Sequence, residues 1–409
     1  MKLKISTLIV VLASGSGPSL VAAEEKSQLD ALISDGTITL DLRYRFEFVD
    51  QDGFDENANA STLRTRLGFQ SGMFRGFDFN LEFNDVRHLL SNNFDAGGGT
   101  TPDRTGVYPV VPDPKGTRLN QGYLRYQGLE HWNFVVGRQR INLDNQRFVG
   151  AVGWRQTEQV YDAAQVNWSN DLIDVSYSYV QWVRRVFGES SSVGKDRQDG
   201  TMFLNAAVKT PLGSLVGYYY GIDSRDTPAF STDTVGVRLS GTQDLGSDWS
   251  LRYEGEYASQ RDAADNPADF RADYFHVNAA AVVGNIDFGA GWELLGGDAG
   301  TGTNEAFRTP LATLHAFNGW ADQFLATPAA GLSDLYAKFG AHPGGFIVQA
   351  HAHRFEADDG GQRFGDELDL QLGYRFSSHF RGDLYFADFD GRNGFGDVTK
   401  FWLQLLFSL

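Results

Sequence analysis

Arginine is the residue type in this chain best placed to do chemistry. Arg43 and Arg45, Arg64 and Arg66, and Arg138 and Arg140 each stand two apart, while Arg125, Arg238, Arg252 and Arg375 stand singly in similar surroundings. A guanidinium presents a planar fork of donors that matches a carboxylate in bidentate geometry. Such a set can form a positive ladder that guides an anionic solute, or it can be tied up in cross-strand ion pairs with Asp and Glu. A second constellation is His351 and His353, a spacing that could hold a metal ion. The sequence shows no third ligand beside them, so a structural or wall role is expected and no metal site is assigned. With eight histidines and many serines a hydrolytic pair is conceivable, but no local motif supports one. Gly296-Gly297-Asp298-Ala299-Gly300 opens no helix and lacks a following lysine, so it is not a phosphate loop.

The elements that carry these residues read as β-strands. Ile38, Leu40, Leu42, Tyr44, Phe46 and Phe48 share one face of a strand, and Thr39, Asp41, Arg43, Arg45 and Glu47 share the other. Leu368, Leu370, Leu372, Tyr374 and Phe376 likewise alternate with Glu367, Asp369, Gln371 and Arg375. Charges on the second face of so many strands are intolerable in a sandwich core. On the wall of a water-filled barrel they are expected.

Strands are predicted near 36–48, 61–71, 77–87, 118–128, 132–141, 160–169, 172–184, 200–210, 214–223, 233–244, 249–260, 272–283, 286–296, 332–341, 345–356, 366–376, 379–389 and 397–409. Short links such as Asn170–Asp171 and Gly284–Asn285 alternate with long polar ones such as Leu89–Thr117, Asn142–Gln159 and Gly297–Gly331. That sorting is the signature of bacterial outer-membrane barrels, with short periplasmic turns, long extracellular loops, an even strand count and both termini in the periplasm. The fold class is therefore all-β, a transmembrane antiparallel barrel of about eighteen strands. Phe401, Leu403, Leu405, Phe407 and Leu409 end the chain on an apolar face suited to closing the barrel, and resemble the terminal signal read by barrel assembly machinery.

Composition agrees. Lys2 and Lys4, the apolar run Ile5 to Ala13 and Val21-Ala22-Ala23 read as a secretory signal peptide over 1–23, leaving 24–409 as the barrel. The net charge of −17 excludes nucleic-acid binding through counterion release. The absence of cysteine excludes a disulfide framework. After the signal no apolar run is long enough for a transmembrane helix.

A barrel this wide is not filled by its wall side chains, so function depends on what lines and narrows the lumen. Leu89–Thr117, with Gly97-Gly98-Gly99, and Gly297–Gly331, with Phe307, Trp320 and Phe324, are the candidate constrictions. Aromatic residues in a loop are costly unless they pack in the barrel mouth or meet a ligand.

Two segments carry a family resemblance. Gly137-Arg138-Gln139-Arg140, Arg147-Phe148-Val149-Gly150 and Trp154-Arg155-Gln156 lead to Asp162. Pro310 to Asp322, containing His315, Asn318, Gly319 and Trp320, precedes Thr327-Pro328 and Gly331-Leu332. The chain resembles the alginate export family of outer-membrane porins on these motifs. The resemblance implies an eighteen-stranded barrel in the bacterial outer membrane whose arginine-rich lumen passes acidic oligo- or polysaccharides. It further implies that Arg138, Arg147, Arg155 and Asp162 line the pore, and that His315, Asn318, Trp320 and Asp322 belong to an ordered loop at its mouth.

The expected activity is therefore electrostatic passage rather than catalysis, with a barrel enzyme, a surface adhesin, or a channel for other small anionic or neutral solutes as alternatives. Expected partners are the anionic saccharide, outer-membrane lipid and lipopolysaccharide, and the barrel assembly machinery. No cofactor is expected, although acidic loop residues such as Asp358-Asp359 are candidates to bind Ca²⁺ shared with lipopolysaccharide.

Overall fold

The computed structural model describes residues 29–300 and 305–409. The expected signal peptide, 1–23, lies outside the described residues. A short helical segment over 29–34 precedes the first strand. Strands β1 to β7 run Thr37–Gln51, Ala58–Gln70, Phe77–Asn93, Gly116–Tyr126, Trp132–Gln139, Val160–Ser169 and Ile173–Arg184. The short β8 is Lys195–Arg197. Strands β9 to β14 run Met202–Thr210, Gly213–Ile222, Thr232–Gly246, Trp249–Asp262, Arg271–Val283 and Ile286–Leu295. Strands β15 to β19 run Leu332–Ala341, Phe346–Glu356, Arg363–Arg375, Phe380–Gly391 and Val398–Ser408.

Every long strand pairs antiparallel with its sequence neighbours, and β1 pairs with β19 from Asp41↔Ser408 to Gln51↔Val398, which closes eighteen strands into a barrel. Closure leaves no edge with unpaired backbone groups, the condition for crossing lipid with strands. β8 lies outside this ring count. It pairs with the top of β7 within a segment expected to be loop, while β9 pairs lower on the same strand. β3 runs on to Asn93, so the first long loop is shorter at its start than the sequence suggested.

The two faces follow the alternation. Leu67, Leu81, Phe83, Val136, Leu204, Leu368, Leu370, Leu372, Leu384, Phe401 and Leu405 all face outward and are exposed in the bare protein. This is the belt that lipid covers. Arg43, Arg45, Arg64, Glu256, Glu293, Asp334, Glu367 and Asp369 face inward and are buried. At the short-turn end aromatic rings gather: Phe77 with Tyr126 at 4.5 Å, Trp132 stacked on Phe134 at 5.8 Å, and Phe346 with Tyr374 at 4.7 Å. Such a girdle marks a membrane interface.

The orientation is checked from outside the cell. Gly360 and Gly361 sit at a loop tip where an added side chain meets nothing, so an epitope inserted between them is expected to be tolerated and labelled by antibody on intact cells. The same epitope after Pro343, in the short turn before β16, is expected to be labelled only after the outer membrane is permeabilised. The reverse pattern would invert the barrel.

Candidate functional site

Three long loops turn into the lumen and pack on one another. Residues 140–159 and 305–331 meet in a parallel bridge at Val149 and Leu311, where the Gly150 N–H donates to the Leu311 carbonyl at 2.9 Å. Gly150 is required there, because a Cβ would lie 2.3 Å from Thr313 Oγ1. The Gln159 amide donates to the carbonyls of Gly150 (3.0 Å) and Leu311 (3.1 Å), satisfying two backbone groups buried inside the barrel. Phe148 packs its ring against Tyr274 (5.1 Å), Phe307 (5.6 Å) and Tyr218 (5.7 Å), so this part of the lumen is an apolar core. The third loop, 94–115, enters through Val111 and Asp113, both fully buried.

Burying loops among charged wall residues requires that each charge find a partner, since an unpaired buried ion costs several kcal/mol. Arg155 lies between the wall and loop 305–331: Nη1 donates to Glu47 on β1 (3.0 and 3.2 Å) and Nη2 to Asp322 (2.9 Å). Asp322 also takes Lys400 Nζ of β19 at 3.1 Å and His315 Nδ1–H at 2.7 Å. Arg147 donates to Glu293 (2.7 Å) and to the Asn318 side-chain oxygen (2.9 Å), with its guanidinium 4.8 Å from the Phe317 ring. Asn318 in turn donates to Glu293 at 2.6 Å. Arg45 donates to the Trp154 carbonyl at 2.6 Å and lies 4.1 Å from that ring's centroid, while His315 stacks on the same indole at 4.1 Å.

The remaining arginines divide by their surroundings. Arg64 pairs with Asp41, Arg66 with Glu158 (3.1 Å), Arg125 with Asp78 (2.9 Å), Arg140 with Glu82 and Glu158, and Arg238 with Glu254. These brace neighbouring strands and loop to wall. Arg43 differs, because its fork meets only neutral acceptors: Gln156 Oε1 at 2.9 Å, the Gly153 carbonyl at 3.0 Å and the Arg155 carbonyl. Arg252 and Arg375 face inward at the short-turn ends of β12 and β17, exposed and without an ion pair among the described residues.

Arg138 and Asp162 fall elsewhere than the resemblance implied. They are cross-strand partners, and the alternation of β5 puts Arg138 on the outward face with Trp132 and Val136, just as that of β6 puts Asp162 with Ala164 and Trp168. The same ladder leaves Gln139 and Tyr161 as the inward, buried residues. Arg138 and Arg184 both donate to Asp162, at 2.7 Å each, near the extracellular rim of the wall. Glu47, Asp113, Glu158, Glu293, Lys400 and Arg381 complete the lumen without having been singled out in the sequence. Alternation did place Glu47 on the inner face, but which arginine it meets depends on how a loop docks.

Charge is unevenly spread around the lumen. Arg43, Arg45, Arg64, Arg66, Arg118 and Arg125 come from β1, β2 and β4, interleaved with Asp41, Glu47, Asp78 and Glu82 of β1 and β3, whereas Glu254, Glu256, Glu293, Asp334, Glu367 and Asp369 come from β12, β14, β15 and β17, beside Arg238 and Lys338. Trp320 hangs between the two walls, its backbone N–H on Asp369 (3.3 Å) and its ring edge-on to His351 (5.0 Å) and Tyr385 (5.6 Å). On one side of it lies a cavity of about 390 Å³ lined by Arg43, Arg381, Trp154, Tyr385, Gln349, Gln371 and Gln404. On the other lies a cavity of about 270 Å³ lined by Glu254, Glu293, Asp334, His276, His351, His353 and Lys338.

The Asp322 cluster fixes how docking responds to mutation and pH. Asp322→Asn leaves Arg155 and Lys400 short of a counter-charge, and is expected to weaken loop docking by roughly 3–5 kcal/mol. Limited proteolysis should then cut 305–331 in a barrel that still shows heat-modifiable mobility; an uncut loop would contradict the assignment. Burial would raise the Asp322 carboxyl, but His315, Lys400 and Arg155 hold it well below the usual carboxylate range. The stability it contributes is thus present above an ordinary carboxylate pKa of about 4 and fades below it. Burial pushes His315 below the ordinary imidazole range despite Asp322, so below about pH 6.5 the undocked loop takes up the proton more readily. The two effects have one sign and act in turn: proteolysis of this loop is expected to quicken as pH falls below about 6.5 through His315, and again below about 4 through Asp322.

The family model described as alginate export matches residues 35–318 of this chain. No curated protein matches it in sequence. Among solved structures it is similar to OccAB2 of Acinetobacter baumannii, at 15% identity and TM-score 0.72, covering 93% of this chain and 99% of that one. It is also similar to OpdL of Pseudomonas aeruginosa (16% identity, TM-score 0.69, 92% and 99% covered). A third is OpdK of Pseudomonas aeruginosa, solved with vanillate (14%, TM-score 0.68, 92% and 99%). At these identities the likeness is one of fold. With the family match spanning more than half its length and β1 closing the barrel against β19, the chain belongs to the alginate export family of bacterial outer-membrane channels.

Proposed function

We propose that this channel passes acidic saccharides, polyuronates or their oligomers, and that the cavity beneath Trp154 and Trp320 is where a uronate unit rests on its way through. The observation that carries the reading is the make-up of that cavity. The rings of Trp320 and Tyr385 suit the apolar faces of sugar rings, while Trp154, its faces covered by Arg45 and His315, borders the cavity with its edge. The amides of Gln349, Gln371 and Gln404 suit ring hydroxyls. Arg43 supplies a positive field that no carboxylate among the described residues neutralises within ion-pair distance. Arg381 lines the cavity, is partly exposed and gives Nε and Nη2 to Asp383, which leaves Nη1 outside that pair. Release needs weak binding, and Asp383 beside Arg381 keeps the guanidinium from holding a carboxylate tightly.

A cavity of this size takes one or two sugar units, and it also admits small aromatic carboxylates of the vanillate type that the OpdK structure holds. Current blockage separates these ligands. In planar bilayers a short oligouronate is expected to block the open channel at concentrations at which a neutral oligosaccharide of the same length does not. Arg381→Gln is expected to weaken that block roughly tenfold, the loss of about one charge-assisted hydrogen bond. Equal block by charged and neutral sugars would contradict the proposal, and vanillate blocking better than the oligouronate would favour the small-carboxylate reading. Absence of any steady conductance would point to an enzyme or adhesin in a filled barrel.

A further inference from the structure

The smaller cavity, on the acidic side of Trp320, carries an arrangement the anion route does not use. His351 and His353 alternate on β16, so both rings face the lumen, and Asp369 of β17 is the cross-strand partner of His351. One ligand atom from each of the three lies within 4.8 Å of the others. His353 Nδ1 is 2.9 Å from Asp334 Oδ1, to which it donates, so Nε2 is left without its proton and turned to Asp369 Oδ2 at 3.7 Å. That separation is too long for a hydrogen bond. It is close to the ~3.4 Å edge between two ligands bound about 2.1 Å from a tetrahedral ion. An imidazole whose far nitrogen is fixed by a carboxylate is also the usual arrangement of a metal-bound histidine.

A second observation points the same way. Glu367, cross-strand partner of His353, is buried next to Asp369 and leaves Oε2 without a hydrogen-bond partner. Asp334, Glu367 and Asp369 thus bring three carboxylates to a spot whose one nearby ammonium, Lys338, lies over the Tyr336 ring at 4.4 Å. The neighbouring cluster of Glu254, Glu256 and His276 lacks these features. There His276 has both ring nitrogens engaged, by Glu254 at 3.2 Å and Tyr336 at 2.7 Å, and Glu256 accepts from Tyr218 at 2.7 Å.

We propose that His351, His353 and Asp369 bind a divalent cation of the zinc class, with Asp334 orienting His353 and water from the cavity completing the coordination. The ligands are two imidazoles and a carboxylate, a set that favours zinc over calcium or magnesium. The site also touches the docked loop, since Asp369 accepts from the Trp320 N–H and Glu367 from the Ala321 N–H at 2.7 Å. A bound ion therefore holds the carboxylates that anchor Trp320 in the lumen.

The test is calorimetric titration of the full-length, tag-free barrel in detergent, stripped with EDTA, using ZnCl₂ and CaCl₂. One zinc per chain is expected, with no comparable uptake of calcium. His351→Ala and Asp369→Asn are each expected to weaken zinc binding at least tenfold, while His379→Ala, in a periplasmic turn, leaves it unchanged. Folding of each variant is read from heat-modifiable mobility. Should either variant not fold, zinc X-ray absorption on the wild-type barrel must still show two imidazole ligands. No saturable zinc uptake, uptake unchanged in both variants, calcium bound as tightly as zinc, or a spectrum without paired imidazoles would overturn the site. Failure here leaves the oligouronate reading standing, because the cavities share no charged residue and the shared Trp320 is tied to Asp369, and its neighbour Ala321 to Glu367, with or without an ion.

Discussion

The constraint on which this structure depends is that charges buried inside a wide barrel must be balanced by loop and wall together. Eighteen strands enclose more space than their own side chains fill. Loop cations such as Arg147 and Arg155 meet wall carboxylates, and loop carboxylates such as Glu158 and Asp322 meet wall cations. Arg155 is the clearest case, a loop guanidinium held between Glu47 of the wall and Asp322 of a second loop. Its neighbours follow from it: Trp154 lies under Arg45, Gln156 reaches Arg43 and Thr62, and Asp322 ties the loop that carries Trp320 to Arg155 and Lys400. The constriction is thus a product of electrostatic balance more than of loop rigidity.

That balance also explains why a chain rich in lumenal arginine is not simply a positive tube. Most of the arginines are consumed in bracing pairs, and bracing pairs project little field. What remains is local. Arg43 meets only neutral acceptors, Arg381 is half-committed to Asp383, and both border the aromatic cavity beneath Trp154. The opposite wall keeps an excess of carboxylate beside histidine. A solute carrying negative charge is therefore expected to pass along one side of Trp320, and a cation to stop on the other.

Much of this was legible in the sequence because it depends on local pattern. Alternation put Arg43, Arg45, Arg64, Arg66, Glu367 and Asp369 on the inner face, and sorting of short and long links gave the strand number and the topology. Arg138 and Asp162 show where pattern runs out. The β5 segment mixes polar residues on both faces, and only its ladder with β6 shows that Gln139 rather than Arg138 turns inward. Ion-pair partners were illegible for a similar reason: Arg155 and Glu47 are 108 residues apart, joined only once a loop folds back across the barrel. The third ligand for His351 and His353 likewise sits on the next strand, and a one-residue change of register would have removed it. β8 was missed because a three-residue ribbon has too little sequence to show a period.

The central claim, that charge-paired loops fill the lumen, is tested most directly by hydrogen–deuterium exchange on the wild-type barrel in detergent. Amides of 147–159 and 307–324 are expected to exchange nearly as slowly as those of the strands, while those of the open loop tip 358–361 exchange at the rate of free chain. Fast exchange throughout 147–159 and 307–324 would mean that these loops stand outside the barrel and that the constriction described above does not form.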